Sequence, residues 1–423
     1  MKILTLNCRR FSVQYQLFDW PQKKVLARGA VERVMVGDSF ITHKASGRAP
    51  YHFDQECPDH RAAVELILAT LSDGKAGVID SPARVAAIGH RVAHGGEKFT
   101  SSVRIDDEVL EAINEMVQLA PLHNTPNMAG IRAAMEILPD IPHVAIFDTA
   151  FHQTMPPVAY VYPLPYEWYE KYGVRRYGFH GQSHLYASKR AATLLGKPAD
   201  QCNLITVHTG NGVSLCAIRN GISVDTSMGL TPLEGAMMGT RCGDIDPGIP
   251  PFMMRETDMS PHELDMVLNQ KSGVIGITGR HTSRRTVLEE ARVGDPRCKT
   301  ALELESYRLK KYIGAYCAVT GPLDAIVFAY GEGWADWPVR GLALQGMEQF
   351  GIRLDVERDR RALAGGGEML VSSDDSTVKV FVVPTDEELV FVEDVAAILA
   401  GEEGGPASFE YSFARSAGGA GRN

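Results

Sequence analysis

Residues 225–248 read DTSMGLTPLEGAMMGTRCGDIDPG, a glycine-rich stretch with no sustained periodicity. A loop of that length without regular structure usually serves function. Arg241 stands between Thr240 and Cys242 with Gly239 and Gly243 nearby, so its backbone can approach a ligand closely. A guanidinium there suits bidentate recognition of phosphate or carboxylate. A structural ion pair with Asp244 or Asp246 fits the same residues equally well. A second basic loop, GHRVAHGGEKF (89–99), offers His90, Arg91 and His94 before a glycine pair. In YGFHGQSH (177–184), His180 and His184 lie four apart, but no third ligand is local and glycine interrupts the segment, which argues against zinc. In VAIFDTAFH (144–152) an apolar strand ends in Asp148, at the carboxyl edge where α/β folds often place active-site groups; capping of the next helix is the blander role. With the Gly-rich turn at 208–212, these loops suit phosphoryl transfer, in which protein positions reactants and neutralises charge spreading over the moving PO₃ oxygens. Arg91 and Arg241 would clamp the group, His180 would donate a hydrogen bond, and Asp148 would orient or accept from the acceptor.

Such loops need elements to hold them. The first strands are KILTL, SVQYQLFDW and KVLARGAVERV, with a short polar turn from Asn7 to Ser12 between the first two. Helical patterns follow (DHRAAVELILATL, DEVLEAINEMVQLA), with strands RVAAIGH and HVAIFD among them. From residue 203 the set begins again: strand NLITV, turn HTGNG, hairpin VSLCAIRNGISVDTS, long helix CKTALELESYRLKKYIGAYCAVTG and strand LDAIVFAY. This repetition predicts a duplicated α/β domain whose strand-end turns point into a cleft between the copies; two unrelated α/β domains that each begin with a hairpin are the alternative. Residues from Gly401 on are rich in small residues and predict a disordered tail.

A chain of 423 residues is long enough for two domains. Its net charge of −9 disfavours a general nucleic-acid or anionic-membrane binder, so any anion site must be a local concentration of cations. No apolar run reaches the ~20 residues of a membrane span, and the N-terminus lacks a signal peptide's apolar stretch. The seven cysteines are scattered and never form CxxC, which fits neither a disulfide framework nor a zinc site and is consistent with a reducing cytoplasm.

The runs DTSMGLTPLEGAMMGTR, GHRVAHGG, LAPLHNTPN, FDTAFH, RRYGFHGQSH, LNQKSGVIGITG and PTDEELV resemble the acetokinase family, of the acetate and sugar kinase and actin superfamily, over nearly all of residues 1–400. The resemblance implies two duplicated ribonuclease-H-like domains (actin-like ATPase fold), 1–149 with 386–400 and 150–385, and a homodimer. It also implies Mg²⁺-dependent (or Mn²⁺-dependent) transfer between ATP and acetate, giving acetyl phosphate and ADP. Arg91 and Arg241 match the substrate and transition-state arginines, His180 the transition-state histidine and Asp148 the catalytic carboxylate. Asn7 and Glu387 match the metal-site pair; Mg²⁺ suits sparse protein ligation because it keeps waters and takes phosphate oxygens. His208, Thr209, Gly210, Asn211 and Gly212 match a phosphate-binding turn. Ala93, Leu122, Phe179 and Pro232 match a small acyl pocket.

The nucleotide side departs from the family pattern. Where the family reads NAGSSSLK, this chain reads NCRRFSVQ: Asn7 and Ser12 remain, Arg10 replaces a serine and Gln14 the lysine. Arg9 and Arg10 either bind phosphate in the lysine's stead or face water. AYGEGWADW (329–337) keeps Gly331 and Gly333 of a nucleotide loop but adds Tyr330, Glu332 and Trp334, with Ala335 for asparagine. GRHTSRRT (279–286) keeps Arg285 but has Ser283 in place of an adenosine-site aspartate. Three functions are therefore carried: an ATP-dependent acetate kinase, a related kinase using another donor such as pyrophosphate or another acid such as propionate, and a non-catalytic acyl-phosphate-binding regulator. Position 93 is more often valine in the family, so Ala93 predicts a roomier acyl pocket.

Overall fold

A computed structural model describes residues 1–331, 337–362, 367–401 and 409–415. The chain divides into two compact units, Met1–Gln153 with Glu387–Ser412, and Thr154–Asp386 with Phe413–Asn423. No helix among the described residues is long and apolar enough to cross a membrane.

The first unit is built on an eight-stranded mixed sheet: β1 (Lys2–Arg9), β2 (Ser12–Asp19), β3 (Lys24–Glu32), β4 (Phe40–Ala45), β5 (Tyr51–Asp54), β6 (Val85–Val92), β7 (Val103–Arg104) and β8 (His143–Phe147), ordered β5-β4-β3-β2-β1-β6-β8-β7. The apolar run of β1 is buried on both faces because the strand is central; Ile3, Leu4 and Leu6 are all in the core. One face is covered by the helices His60–Leu71 and Pro121–Ile137. Gly130 of the latter packs so close to β1 that a Cβ there would stand 2.1 Å from Cys8 Sγ. The other face is covered by the helix Glu387–Leu399, whose Phe391, Val392, Val395 and Ala396 pack on Ile3, Phe18, Ala87, Val144 and Ile146. Full burial of each large apolar side chain contributes about 1.5–3 kcal/mol, which draws this distant segment back to the first sheet.

The hairpin β1–β2 is tighter than the sequence predicts. Arg9 pairs with Ser12, so the turn is Arg10–Phe11 alone, and Asn7 and Arg9 belong to the strand. Neither turn residue has positive φ, so no glycine is needed.

The second unit has a six-stranded mixed sheet of β9 (Leu204–Thr209), β10 (Val213–Arg219), β11 (Ile222–Thr226), β12 (Ala325–Tyr330), β13 (Met369–Leu370) and β14 (Lys379–Pro384), ordered β11-β10-β9-β12-β14-β13. Its turn Asn220–Gly221 has positive φ at both residues, the conformation that Asn-Gly favours in hairpins. The order β11-β10-β9-β12-β14 repeats β3-β2-β1-β6-β8, with antiparallel pairing in the first three strands and parallel pairing in the last three. The duplication predicted from the repeating strand–turn–strand pattern is therefore present.

Part of the tail departs from expectation. Residues 409–415 are ordered against the body: Tyr411 is buried and its hydroxyl donates to Asp394 Oδ1 at 2.8 Å, while the Ser412 N–H donates to Glu393 Oε2 at 2.7 Å. Ser102 Oγ donates to Asp394 Oδ2 at 2.5 Å. Glycine-rich composition hides the reason, which is that Tyr411 and Ser412 supply donors to two carboxylates of the Glu387–Leu399 helix.

Candidate active site

In the first unit, parallel pairing of β1 with β6 matches Leu6 to His90, which carries Asn7 alongside Arg91. Arg91 grips Asp148 at the end of β8 with two parallel bonds, Nε to Oδ1 at 2.9 Å and Nη2 to Oδ2 at 2.5 Å. Its Nη1 donates to Asn7 Oδ1 at 3.3 Å. Burial opposes the Arg91 charge, yet Asp148 outweighs it by charge and hydrogen bonding and holds the guanidinium above its usual range. The Asp148 N–H donates to Val92 O at 3.0 Å, which fixes the carboxylate at the sheet edge. Glu387, first residue of its helix, has its pKa raised to about 7, chiefly by burial; Glu388 and Asp148 add to this, and Arg91 and Arg9 oppose it. Arg9 lies two residues beyond Asn7 on β1, hence on the same strand face, and is exposed. Protein around its guanidinium lowers the pKa, the Arg91 charge lowers it further, and Glu387, Glu32 and Asp148 act in the opposite sense. Gln14 does not stand in for a cation: its Oε1 accepts from Asn7 Nδ2 at 3.4 Å. Ser12 sits at the hairpin end opposite Arg9.

In the second unit, His180 precedes the helix Gly181–Leu195 in a left-handed conformation (φ 59°), which turns its ring off the helix axis. Its Nδ1 is 2.8 Å from Ser214 Oγ; the same hydroxyl lies 2.8 Å from His184 Nε2, and His184 Nδ1 is 2.7 Å from Thr206 Oγ1. His180 and His184, four apart, thus converge on a serine hydroxyl. The chain can be satisfied in either direction; when Thr206 donates to His184, His184 to Ser214 and Ser214 to His180 Nδ1, the His180 proton stands on Nε2. Arg241 and His180 meet at the Gly-rich turn, where a Cβ on Gly212 would stand 2.8 Å from both Arg241 Nη2 and His180 Cε1. The His208 ring lies 4.1 Å from the His180 ring, tilted by 31°, and its Nδ1 lies 2.8 Å from Ser183 Oγ.

The 225–248 loop is held by groups that the sequence did not single out. Arg176 Nη1 reaches the carbonyl oxygens of Thr226, Ser227 and Met228 at 2.8, 3.0 and 3.2 Å, and Nη2 donates to Glu234 Oε1 at 2.5 Å. Tyr162 OH donates to Glu234 Oε2 and accepts from the Leu230 N–H. Asp244 is engaged by the Gly235 N–H and Tyr312 OH, and Asp246 by the Gly248 N–H; Arg241 Nη1 donates instead to Pro232 O at 2.5 Å. Charged residues 58 positions apart, as Arg176 and Glu234 are, leave no local signal of their pairing.

Around the second turn, His208 and Thr209 lie in β9, Gly210 and Asn211 follow, and Thr209 pairs with Tyr330, so Gly331 comes next to the turn. Ser283 caps its helix, and Arg285 is exposed and bonded to Glu289 at 3.1 Å. The residue of this run that reaches the turn is Arg284, buried against Glu305 and donating to Gly210 O at 3.0 Å. Gly333, Glu332, Trp334 and Ala335 lie outside the described residues. Of the acyl-pocket candidates, Ala93 and Leu122 belong to the first unit, Phe179 and Pro232 to the second. The Ala93 N–H donates to Asn127 Oδ1 at 3.0 Å, and Asn127 Nδ2 donates to Cys8 O at 2.7 Å. Cys242 is half-buried and burial pushes its thiol pKa up, which disfavours the reactive thiolate.

A duplicated α/β scaffold thus bears an Arg–carboxylate pair on one sheet and an Arg–His pair at a glycine turn on the other, groups suited to holding oxyanions. The acetokinase family model matches residues 2–393. An acetate kinase of Geobacter metallireducens is 62% identical over 98% of this chain and 99% of its own. The crystal structure of Porphyromonas gingivalis acetate kinase superposes with a TM-score of 0.89 at 43% identity, covering 94% of this chain and 99% of that one. A propionate kinase from Francisella tularensis gives a TM-score of 0.86 at 36% identity, over 93% and 98% of the two chains. The chain belongs to the acetokinase family, whose members are phosphotransferases with a carboxyl group as acceptor.

Proposed function

We propose that this chain is an acetate kinase, reversibly moving a phosphoryl group between ATP and acetate, with Arg91, Asp148, His180 and Arg241 as its catalytic residues and Asn7 and Glu387 as its metal ligands. The observation that carries the reading is 62% identity to an acetate kinase over nearly the whole of both chains. Arg91, with its orientation set by Asp148, binds carboxylate or phosphoryl oxygens through its remaining N–H groups. Arg241 and the His180 Nε2–H stabilise negative charge as the PO₃ group moves, and their hydrogen-bonded supports keep them aligned before substrate arrives. Asp148 orients the acceptor. The turn His208–Gly212, with Arg284 behind it, and Gly331 receive the donor phosphates; Ser12 and Gln14 flank the first hairpin.

A divalent cation fits the first cluster. Its donors are the hard oxygens of Asn7 and Glu387, and burial, with Glu388 and Asp148 adding to it, raises the Glu387 pKa to about 7, a cost that a cation would relieve. Bound Mg²⁺ or Mn²⁺ would neutralise phosphate charge during transfer. The reading also takes the protein as a homodimer acting in the cytoplasm; light scattering of the purified chain tests the first point.

The test is acetyl phosphate formation by purified protein with acetate and ATP, GTP or pyrophosphate. ATP turnover supports the reading. Turnover with pyrophosphate alone makes this a kinase with a different donor, and turnover with none makes it a binding protein. A propionate-accepting site is a second reading, favoured by the small Ala93 and by the superposition on a propionate kinase.

A further inference from the structure

We propose that Arg9 binds phosphoryl oxygens in this reaction and that Arg10, beside it, does not. The inference deepens the phosphotransferase reading and rests on it. Strand geometry comes first. Pairing of β1 with β6 sets Asn7 alongside Arg91, and Asn7 Oδ1 accepts from Arg91 Nη1, so this face of β1 looks toward the Arg91–Asp148 clamp. Side chains of a strand repeat every second residue, and Arg9 is the next on that face. Its backbone is pinned, because His60 Nε2 lies 2.8 Å from Arg9 O and Arg9 pairs with Ser12. The guanidinium is thus projected from a fixed strand end rather than a mobile tip.

Charge balance comes second. Asp148 neutralises Arg91 with two bonds. Arg9 has no such partner: among the described residues its guanidinium makes no salt bridge, although Arg91 is near enough to repel it and Glu387, Glu32 and Asp148 near enough to attract it. Glu32 is an electrostatic neighbour, facing Ser12 from β3, but it forms no ion pair with Arg9. Two cations gathered on one face, one of them held in no ion pair among the described residues, suit an oxyanion carrying more than one negative charge. Arg10 is differently placed. It occupies the turn, and its guanidinium stacks 4.9 Å over the Phe11 ring. Gln14 cannot supply the charge, being neutral and bonded to Asn7.

The ligand class is a phosphoryl oxyanion, whether of acetyl phosphate or of the donor's terminal phosphate. The experiment compares Arg9→Gln, Arg9→Lys and Arg10→Gln with the wild type, measuring KM for acetyl phosphate, ADP, ATP and acetate, and pyrophosphate binding by calorimetry. Loss of one charge-assisted contact predicts a rise of about tenfold or more in KM for at least one phosphorylated substrate. Arg9→Gln should leave KM for acetate unchanged, Arg9→Lys should recover part of the loss, and Arg10→Gln should match the wild type. A shift confined to acetyl phosphate assigns Arg9 to the acyl phosphate, and one confined to nucleotide assigns it to the donor. Unchanged constants in Arg9→Gln, or equal losses in Arg9→Gln and Arg10→Gln, overturn the assignment. If the wild type forms no acetyl phosphate the parent reading fails, yet Arg9 is still judged: weaker pyrophosphate binding in Arg9→Gln upholds its anion role, and unaltered binding ends it.

Discussion

The two units place a hairpin at the same point of the same strand order and finish it in opposite ways. In the first, β1 and β2 are joined by Arg10–Phe11, and bulky side chains occupy the tip. In the second, β9 and β10 are joined by Gly210, Asn211 and Gly212, and the missing Cβ of Gly212 makes the room in which Arg241 and His180 come together. One scaffold thus offers two means of holding an anion: charged side chains carried on a strand, or a bared backbone that lets side chains from elsewhere close in. In the second way the tip itself is intolerant of bulk; in the first it is tolerant, and the charge proposed to bind phosphate sits one strand residue earlier.

The sharpest contrast lies in the arginines. Arg241→Ala and Arg91→Ala should each lower kcat by about 10²–10³, the usual loss on removing a preorganised donor to transition-state charge. Steady-state kinetics on folded variants checks this, and near-normal turnover in either would remove that arginine from the clamp. Next comes the tip. Gly212→Ala should cost roughly tenfold to a hundredfold in kcat by pushing Arg241 and His180 aside, while Arg10→Gly stays within about twofold of the wild type in kcat, as expected of an exposed turn residue outside the clamp. Equal sensitivity of the two tips would erase the distinction drawn between them.

A smaller effect concerns how the first sheet is closed. Burial raises the Asp394 pKa to about 6 from an ordinary 3.8; the Ser102 and Tyr411 hydrogen bonds oppose the rise and Glu393 adds to it. A carboxyl that binds its proton more tightly when folded contributes its full stabilisation below pH 3.8 and loses it as pH rises through 6. Asp394→Asn should therefore gain about 2 kcal/mol on the wild type between pH 4 and 7, after allowance for partial solvent screening, as read by urea denaturation at both values. Parallel pH profiles would show that Asp394 titrates normally. Smallest is Ala93→Val, which should lower the propionate-to-acetate ratio of kcat/KM by roughly tenfold, the low end of what one methylene is worth in such a pocket. An unchanged ratio would mean that a neighbour already fills the space.

Much of this was legible before any coordinates. Composition singled out Arg91, Asp148, His180 and Arg241, although Arg91 was read in a loop and lies at the end of β6, and the return of strand, turn and strand after residue 203 announced the duplication. The hairpin tip was read too broadly, since Asn7 to Arg9 are polar and polarity resembles a turn; pairing with β2 and β6 keeps them in the strand. Arg284 was passed over for Arg285 because adjacent arginines look alike, and only the direction of the Arg284–Arg292 helix decides which one faces Glu305 and Gly210. Residues 409–415 were lost among glycines, although Tyr411 is among the most deeply buried side chains.

By itself the sequence determined the elements, their repetition and the kinds of groups available for phosphate chemistry, because periodicity and residue type are local properties of a chain. Which arginine is paired with Asp148, which makes no salt bridge among the described residues, and which props the 225–248 loop through Glu234 were settled only by tertiary structure. Those outcomes depend on distances between residues far apart in the chain, and a guanidinium takes its role from the carboxylate, carbonyl or open face that folding sets beside it.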